Sequence, residues 1–521
     1  LNPLPILGSL ESLIRKTGGI SPQDLQNKRY LELRKRLVAL AQANEKVILV
    51  SGHEHNLQYI VNKNVPQIIS GAGSKISPVR QKEGAFGYPD IGFAKLVVYK
   101  DGSSDVLFYD IQNNVAHLVY HSAVLKADIK PLIKQYPYVS KELATASIYT
   151  LAETTVNGFH TKLWGKRYRN YYSKNIQVKT VDLDTLFGGL TPLRKGGGHQ
   201  SRSLRMVNKN GQQFVMRALK KSATQYLQAV AFKDQFIEGK FDDTAVESLL
   251  LDIFTGSHPY APLVVGTLAD GANVYHTNPK LFYIPKQNAL QGFNDAFGDE
   301  LYIIEERVTS GHGNVKSFGN ADKIISTNDL FKNLRKKSAY SLDESAYIRA
   351  RLFDMLIGDW DRHEDQWRWA EFKDKNGHKT YKPIPRDRDQ AFSIMADGAF
   401  LGASSSLFPS LRFLKSYNTE LKTPKWFNLE PFPLDKALIT KSDKSVWDAQ
   451  VKYIQTHLTD PIIDKAFSNM PSEMMDKTIT DIKLKLKGRL KKLQETSDNY
   501  HKLLNNYVII KGTDKADKFD I

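Results

Sequence analysis

The 521-residue sequence contains no cysteine, which excludes disulfide bonds and thiolate metal sites anywhere in the chain. It also lacks any run of 18 apolar residues, roughly the length that a membrane-spanning helix requires. Hydrophobic residues make up 41% and charged residues 25% of the chain, values typical of a globular protein. A chain of this length exceeds one ordinary core, so we expect two or more domains. Complete absence of cysteine suits an exported protein.

Acidic residues are in the minority: the chain has 56 aspartates and glutamates and 73 lysines and arginines, which gives a net charge of +17. Such a charge could attract nucleic acid or an anionic membrane. The basic residues are spread along the chain without a recognised nucleic-acid motif, so we do not expect a nucleic-acid partner. A basic helix predicted over 483–492 could touch anionic lipid. The simpler interpretation of both features is a solvated, lysine-rich surface.

Two histidines follow the first apolar run of the chain. Val47–Val50 predicts a buried strand, and Ser51–Asn56 then places His53 and His55 in a Gly-His-x-His turn. Two imidazoles one residue apart at a strand end are typical of metal ligands, and we expect glycine to permit the tight turn. The alternative is a pair of surface histidines on a loop.

Two imidazoles do not complete a hydrolytic metal centre, which also needs carboxylates. Only 52 residues precede His53, and they contain no histidine and one aspartate, Asp24. We therefore expect that the chain is a fragment and that further ligands lie upstream of Leu1.

The surrounding pattern alternates helix and strand. Lys28–Ala43 predicts an amphipathic helix, and a second strand is expected around Ile68. Phe93–Tyr99 and Asp105–Tyr109 flank an Asp101-Gly102 turn and predict a hairpin. This order suits the closing half of an α/β sandwich over residues 1–112, followed by a connector over 113–175.

A second domain is predicted over 176–506, and it begins with possible phosphate-binding elements. A glycine triplet (Gly196, Gly197 and Gly198) precedes a predicted hairpin whose second strand carries Arg217. Glycines of this kind can cradle phosphate, although such triplets are also common in ordinary loops. Glu247 is a candidate partner for the basic residue on the strand. Val508–Ile510 predicts the first strand of a further β domain over 507–521, which we expect to be cut short.

Two acidic sites lie on either side of a predicted hairpin later in this domain. A helix over Ser341–Ile357 runs into an acidic loop, and Asn376-Gly377 joins two strands that lead to a second acidic segment. Helix, acidic loop, hairpin and second acidic site is the order found in kinase catalytic cores, where one acid accepts a proton and another holds magnesium. The alternative is a buried ion network that stabilises the loop. The candidate residues are Asp361, Arg362, His363, Gln366, Asp387 and Asp389.

The Gly-His-x-His turn resembles the last metal-binding motif of calcineurin-like metallophosphoesterases. This resemblance implies that His53 and His55 bind the two divalent ions of a dinuclear site. The implied activity is metal-dependent hydrolysis of a phosphoester substrate.

The stretch from Asp361 to Gln366 resembles the catalytic loop of atypical kinases. This implies a catalytic group formed by Asp361, Arg362 and His363, with Gln366, Asp387 and Asp389 as ligands of Mg²⁺. The implied ATP contacts come from the glycine triplet, Arg217 and Glu247. Arginine at 217, where lysine is usual, and glutamine at 366, where asparagine is usual, leave a pseudokinase as the alternative.

The pairing of both motifs in one chain resembles large exported metallophosphoesterase proteins of Gram-negative bacteria. The implied fold is multidomain, α/β and α+β, with the C-terminal half of a metallophosphoesterase sandwich followed by a two-lobed kinase-like domain. The implied location is the cell envelope, and membrane contact would come through a barrel after residue 521. The alternative function is a non-catalytic envelope scaffold.

Overall fold

The computed structural model describes residues 27–44, 46–79, 85–127, 135–136, 142–196, 200–230, 237, 245–321, 323–336, 339–506, 516 and 518. The chain divides into two compact units, one formed by Leu1–Ile133 with Ala223–Asp242 and the other by Lys134–Ser222 with Asp243–Ile521. Among the described helices, none has the length and apolar character needed to cross a bilayer. The predicted domain boundaries after residues 112, 175 and 506 stay predictions.

The first unit joins helices to two small sheets. Its helices are α1 (Lys28–Gln42) and α5 (Ala223–Val230), and its strands are β1 (Leu49–Ser51), β2 (Leu57–Asn62), β3 (Val65–Ser70), β4 (Phe86–Tyr88), β5 (Gly92–Val98), β6 (Ser104–Gln112) and β7 (Val115–Leu125). One sheet has the order β1-β3-β2-β4, with β1 parallel to β3, and the other has the order β5-β6-β7. Residues of both sheets, among them Leu57, Ile68 and Phe108, share one buried core.

The predicted helix and the β5–β6 hairpin of this unit are confirmed. A strand before the histidines is confirmed at Leu49–Ser51, but its predicted burial is wrong, because β1 has only three residues and Val50 is 61% exposed. A phosphoesterase sandwich is not confirmed.

The second unit begins with short elements and a five-stranded antiparallel sheet. The sheet has the order β10-β11-β12-β14-β13. The elements of this part are β8 (Leu143–Ala146), α2 (Leu151–Thr154), α3 (Gly158–Trp164), α4 (Arg169–Ser173), β9 (Ile176–Lys179), β10 (Leu190–Lys195), β11 (Ser201–Asn208), β12 (Gln213–Lys221), α6 (Ala245–Phe254), α7 (Ala261–Gly271), β13 (Lys280–Ile284), α8 (Asn294–Phe297) and β14 (Glu300–Glu306).

A four-stranded sheet and a helical region follow. The sheet has the order β15-β17-β18-β16. The elements are β15 (Lys323–Ile325), α9 (Thr327–Lys336), β16 (Tyr340–Leu342), α10 (Glu344–Ile357), β17 (Trp367–Lys373), β18 (Lys379–Pro385), α11 (Ala399–Leu407), α12 (Pro424–Phe427), α13 (Phe432–Ile439), α14 (Lys444–His457), α15 (Asp460–Phe467), α16 (Lys477–Lys491) and α17 (Leu493–Asn505).

Helix α10 runs through the main core of the second unit. Ten of its residues are buried, and Asp343 caps its start by accepting a hydrogen bond from the backbone of Ala346 at 2.9 Å. Gly358 ends the helix in the left-handed conformation, with φ of +77°. The predicted helix, the β17–β18 hairpin and the helical tail are confirmed. The strand predicted over 508–510 lies outside the described residues.

Candidate active site

The histidine turn, residues 52–56, follows β1 in the first unit. His53 adopts the left-handed conformation, with φ of +72°, whereas Gly52 does not. The tight turn was predicted to rely on Gly52, and the structure instead places the unusual backbone at the histidine itself. Such a conformation in a residue with a side chain costs about 1 kcal/mol and is often found at functional positions.

Gly71, at the end of β3, holds this turn in place by close approach. A Cβ atom there would lie 1.9 Å from the carbonyl oxygen of Glu54. The backbone N–H of Gly71 donates to the carbonyl of Asn56 at 3.2 Å, and that of Ser77 donates to the carbonyl of His55 at 2.7 Å. The turn is therefore fixed by backbone contacts, while the His53 side chain remains exposed.

In the second unit, two cation–carboxylate pairs join β12 to the segment after β18. Arg217 Nη2 lies 2.5 Å from Asp387 Oδ1, and Lys221 Nζ lies 3.2 Å from Asp389 Oδ2. Lys221 also donates to Gln200 Oε1 at 3.0 Å. The structure thus brings Arg217, the predicted cation of β12, to Asp387, and it brings Lys221 of the same strand to Asp389.

Glu305 on β14 provides a second carboxylate for Arg217, at 3.9 Å. Its other oxygen accepts a hydrogen bond of 2.6 Å from the Thr277 hydroxyl. Burial raises the pKa of Glu305, and Arg217 opposes that rise. The sequence suggested Glu247 for this role. Residue 247 lies in α6, but its side chain is outside the described residues.

The carboxylates of this site have different electrostatic environments. Burial raises the pKa of Asp361 to about 6, with a further rise from the negative charges of Asp389 and Asp387. Burial also acts to raise the pKa of Asp387, but Arg217 and Arg386 outweigh it, so this pKa is lowered overall. Asp387 is therefore held ionised, whereas Asp361 exchanges a proton close to neutral pH.

Asp387 also has an unusual backbone, with φ of +48°. It lies two residues after the end of β18, and the carbonyls of Arg386 and Asp387 accept hydrogen bonds from Arg362 Nη1 at 2.6 and 3.1 Å. Nη2 of Arg362 donates to the carbonyl of Gln366 at 3.0 Å. Arg362 therefore ties the acidic loop to the end of the return strand, and we call this contact set the Arg362 clasp.

The loop residues with predicted roles differ in the exposure of their side chains. The Arg362 side chain is fully buried. His363 is 42% exposed at its side chain and lies 3.9 Å from Asp361 Oδ1. Gln366 contacts these segments through its backbone: its carbonyl accepts from Arg362 Nη2 and also from the Arg386 N–H at 2.8 Å. Their catalytic and metal-binding roles stay predictions.

A buried ion network lies beneath the loop. Asp354 on α10 contacts Arg351, Arg362 and Arg388. Arg388 also lies 3.1 Å from Asp359, and Arg351 lies 3.0 Å from Asp435. The six groups of this network are Arg351, Asp354, Asp359, Arg362, Arg388 and Asp435. The sequence left such a network open as the alternative to catalysis, and the structure contains it alongside the acids of the candidate site.

The structure describes only the first glycine of the triplet, Gly196. The Gly196 N–H donates to the carbonyl of Ser203 at 2.7 Å, and a Cβ atom at 196 would lie 2.1 Å from the Ser203 hydroxyl oxygen. Gly197 and Gly198 lie outside the described residues. Gly196 therefore allows close packing of β11, and a phosphate-binding role for the triplet stays a prediction.

Among the residues that the structure describes, neither predicted metal centre is preformed. Within the described part of the chain, no group of three or more histidines, aspartates or glutamates is arranged to hold a metal ion. Asp387 and Asp389 have oxygen donors that suit Mg²⁺. Each of them, however, already contacts a cation in this structure. Fully formed two-metal coordination is therefore not found among the described residues.

Comparisons with known proteins give partial likenesses. No family model matches the chain. The chain is 36% identical over 95 residues to purple acid phosphatase 3 of Arabidopsis thaliana, which covers 17% of this chain and 26% of that protein. The chain thus spans about a quarter of the length of this curated relative.

Among solved structures, the Rio2 kinase of Chaetomium thermophilum, determined with ADP/Mg²⁺ and phosphoaspartate, is similar to part of the chain. The match has 12% sequence identity and a TM-score of 0.28, and it covers 59% of this chain and 72% of the kinase chain. That TM-score is too low to establish a shared fold. The comparisons support a sequence likeness to part of a phosphatase, and the structure shows a mixed α/β fold of several sheets.

Proposed function

We propose that the second unit binds the phosphate groups of a nucleotide, such as ATP, at Arg217 and Lys221. The observation that carries this proposal is the convergence of these two cations with Asp387 and Asp389. A guanidinium group can contact two phosphate oxygens at once, and an ammonium group adds a compact positive charge. An incoming phosphate would compete with the two carboxylates for these cations.

Asp361 would act as the proton acceptor of such a site. With a pKa of about 6, its carboxyl group is mostly ionised at pH 7 and can still gain a proton from an attacking hydroxyl group. Arg362 would position the loop, because its hydrogen bonds reach backbone carbonyls on both segments. Bound Mg²⁺ would neutralise phosphate charge at such a site.

A thermal shift experiment tests nucleotide binding. All six tryptophans lie in the second unit, so their fluorescence follows the unfolding of that unit. Millimolar ATP with Mg²⁺ should raise the midpoint, because a ligand at 100 times its Kd stabilises the folded state by about 2.7 kcal/mol. Arg217→Met should remove the shift.

Arg202→Met is the matched control for this experiment. Arg202 also lies in the five-stranded sheet and also contacts a carboxylate, that of Glu300, away from Asp387 and Asp389. This variant should retain the ATP shift. If ATP has no effect on the unmodified protein, or if both variants lose the shift equally, the nucleotide proposal fails and a scaffold role replaces it.

The sequence likeness to a phosphatase supports a second candidate function, a metal-dependent phosphoester hydrolase involving the histidine turn. Hydrolysis of 4-nitrophenyl phosphate with added divalent metal, compared between His53→Ala and His117→Ala, tests it. His117 is an exposed histidine on β7 of the same unit. Metal-dependent activity that falls at least about tenfold only in His53→Ala would support the proposal. Equal metal-dependent activity in both variants would contradict it. Dinuclear metal binding, an envelope location and a membrane partner rest on the family resemblance alone.

A further inference from the structure

A cavity of about 190 Å³ lies beside the acidic loop of the second unit. Gly358 and Trp360, which precede Asp361, form one part of its wall. Residues between Arg412 and Phe427 form another part, and Arg489 of α16 closes it. Arg217, Lys221, Asp387 and Asp389 do not line this cavity. It is therefore separate from the nucleotide site proposed above.

Arg489 is a buried cation in this wall, with 6% of its surface exposed. Nε donates to the carbonyl of Asn418 at 2.7 Å, Nη1 donates to the carbonyl of Met355 at 2.6 Å, and the guanidinium carbon lies 4.2 Å from the centre of the Tyr417 ring. Among the described residues, no carboxylate lies within ion-pair distance of it. Buried charges are ordinarily paired, so this guanidinium group lacks the counter-charge that burial normally requires.

The third nitrogen of Arg489, Nη2, makes no hydrogen bond with the described residues. The guanidinium group has five N–H donors, and only Nε and Nη1 have carbonyl acceptors. An anion in the cavity could therefore accept from Nη2 without disturbing the existing hydrogen bonds.

Two more cations of the wall have no charged partner in the part of the chain that the structure describes. The charged groups of Arg412 and Lys415 make no ion pair or hydrogen bond within the described residues. The one carboxylate among the described lining residues is Glu420, which already contacts Lys422 and Lys492. The cavity thus has a surplus of positive charge with unused donors.

The cavity also has an aromatic side. The ring of Trp360 packs against that of Phe413, with centroids 4.9 Å apart and planes inclined at 55°. An engineered cavity of about 150 Å³ can hold a benzene ring. The observed volume therefore suits a small molecule that combines a ring or alkyl group with an anionic head.

We propose that this cavity binds a small phosphate monoester, whose phosphate oxygens accept hydrogen bonds from Arg412, Lys415 and Arg489 while its apolar group packs against Trp360 and Phe413. A phosphate dianion would balance the charge of Arg489 and use the free donors. Because Trp360 is adjacent to Asp361, occupation of the cavity would also restrain the acidic loop.

Isothermal titration calorimetry at low ionic strength tests this proposal with phenyl phosphate, inorganic phosphate and benzyl alcohol. Phenyl phosphate should bind most tightly, because it alone provides both the anionic and the aromatic contacts. Arg412→Met/Lys415→Met should weaken it by about tenfold or more, since a hydrogen bond to a charged group is lost at each position. Lys425→Met/Lys441→Met removes the same charge at exposed sites outside the cavity and should change the Kd less than about twofold.

Three results would overturn the proposal. Equal weakening in both double variants would mean general attraction to a basic surface. Phenyl phosphate binding that is absent, or no tighter than that of inorganic phosphate or benzyl alcohol, would exclude a phosphate ester. Loss of phenyl phosphate binding in Arg217→Met would place the ligand in the nucleotide site. Conversely, the ATP-induced thermal shift should persist in Arg412→Met/Lys415→Met, so the two proposals can fail independently.

Discussion

Replacing Arg362 tests whether the Arg362 clasp stabilises the second unit. Arg362→Met keeps a long, flexible side chain but removes hydrogen bonds to three carbonyl oxygens, at 2.6, 3.1 and 3.0 Å. It also removes a charge that lies 3.4 Å from Asp359 and 3.7 Å from Asp354. All three side chains are fully buried, so water cannot replace the lost contacts without a change in structure.

The expected loss follows from this burial. Removing one partner of a buried ion pair costs about 3–5 kcal/mol. Nε of Arg362 and Oδ1 of Asp359 have no hydrogen-bond partner among the described residues, so part of the desolvation cost is uncompensated in the unmodified protein. We therefore expect the free energy of unfolding to fall by about 3 kcal/mol, the lower end of that range.

Urea unfolding followed by tryptophan fluorescence measures this change in the second unit. Arg368→Met is the control, because Arg368 is partly exposed at the start of β17 and its guanidinium group donates to the nearby carbonyls of Asp365 and Trp367. The control should change the free energy of unfolding by about 0.5 kcal/mol or less. If Arg362→Met costs less than about 1 kcal/mol while the ATP shift disappears, Arg362 contacts the ligand and the clasp is not its main role.

Three further substitutions test other features. Gly358→Ala should lower the urea midpoint of the second unit more than Gly377→Ala: both glycines have positive φ, but only at 358 would a Cβ meet a ring atom of Tyr417, at 2.6 Å. Burial lowers the pKa of His258 to about 3, so between pH 6.5 and 3 the unfolded chain binds a proton that the folded chain does not. The free energy of unfolding should therefore decrease as the pH is lowered from 6.5 to 3. His258→Asn should make this decrease smaller, and thermal unfolding at several pH values would measure it. Gly71→Ala should lower the thermal midpoint of the first unit in circular dichroism, because the new Cβ would lie 1.9 Å from a carbonyl oxygen of the histidine turn; an unchanged midpoint would contradict that contact.

Hairpins with glycine in the turn could be predicted from the sequence. Gly102 and Gly377 each adopt a positive φ, which glycine tolerates better than other residues, and each lies in a hairpin turn as expected. The β2–β3 hairpin was missed. Its turn uses Lys63 and Asn64, both with positive φ, and the pair lacks the glycine that usually indicates such a turn.

The sequence could predict the candidate site only where its elements are close together along the chain. Helix, loop and hairpin follow one another closely, so the proximity of the two acidic segments was expected. The pairing of Arg217 with Glu305 depends on the alignment of β12 with β14, in which Val215 lies opposite Glu305. These strands are separated by a long stretch of chain, and neither sequence indicates the register. The cavity beside Trp360 likewise depends on long-range packing of α16.

The buried ion network has a consequence for how the sequence can vary. Its three arginines and three aspartates balance in formal charge, and each is held by at least one of the others. A single replacement leaves an unmatched group in the core, whereas a joint exchange of a pair for apolar residues of similar volume can be nearly neutral. The effects of substitutions within the network should therefore be strongly non-additive. Natural variation at these six positions is expected to proceed through coordinated changes, with single-step intermediates selected against.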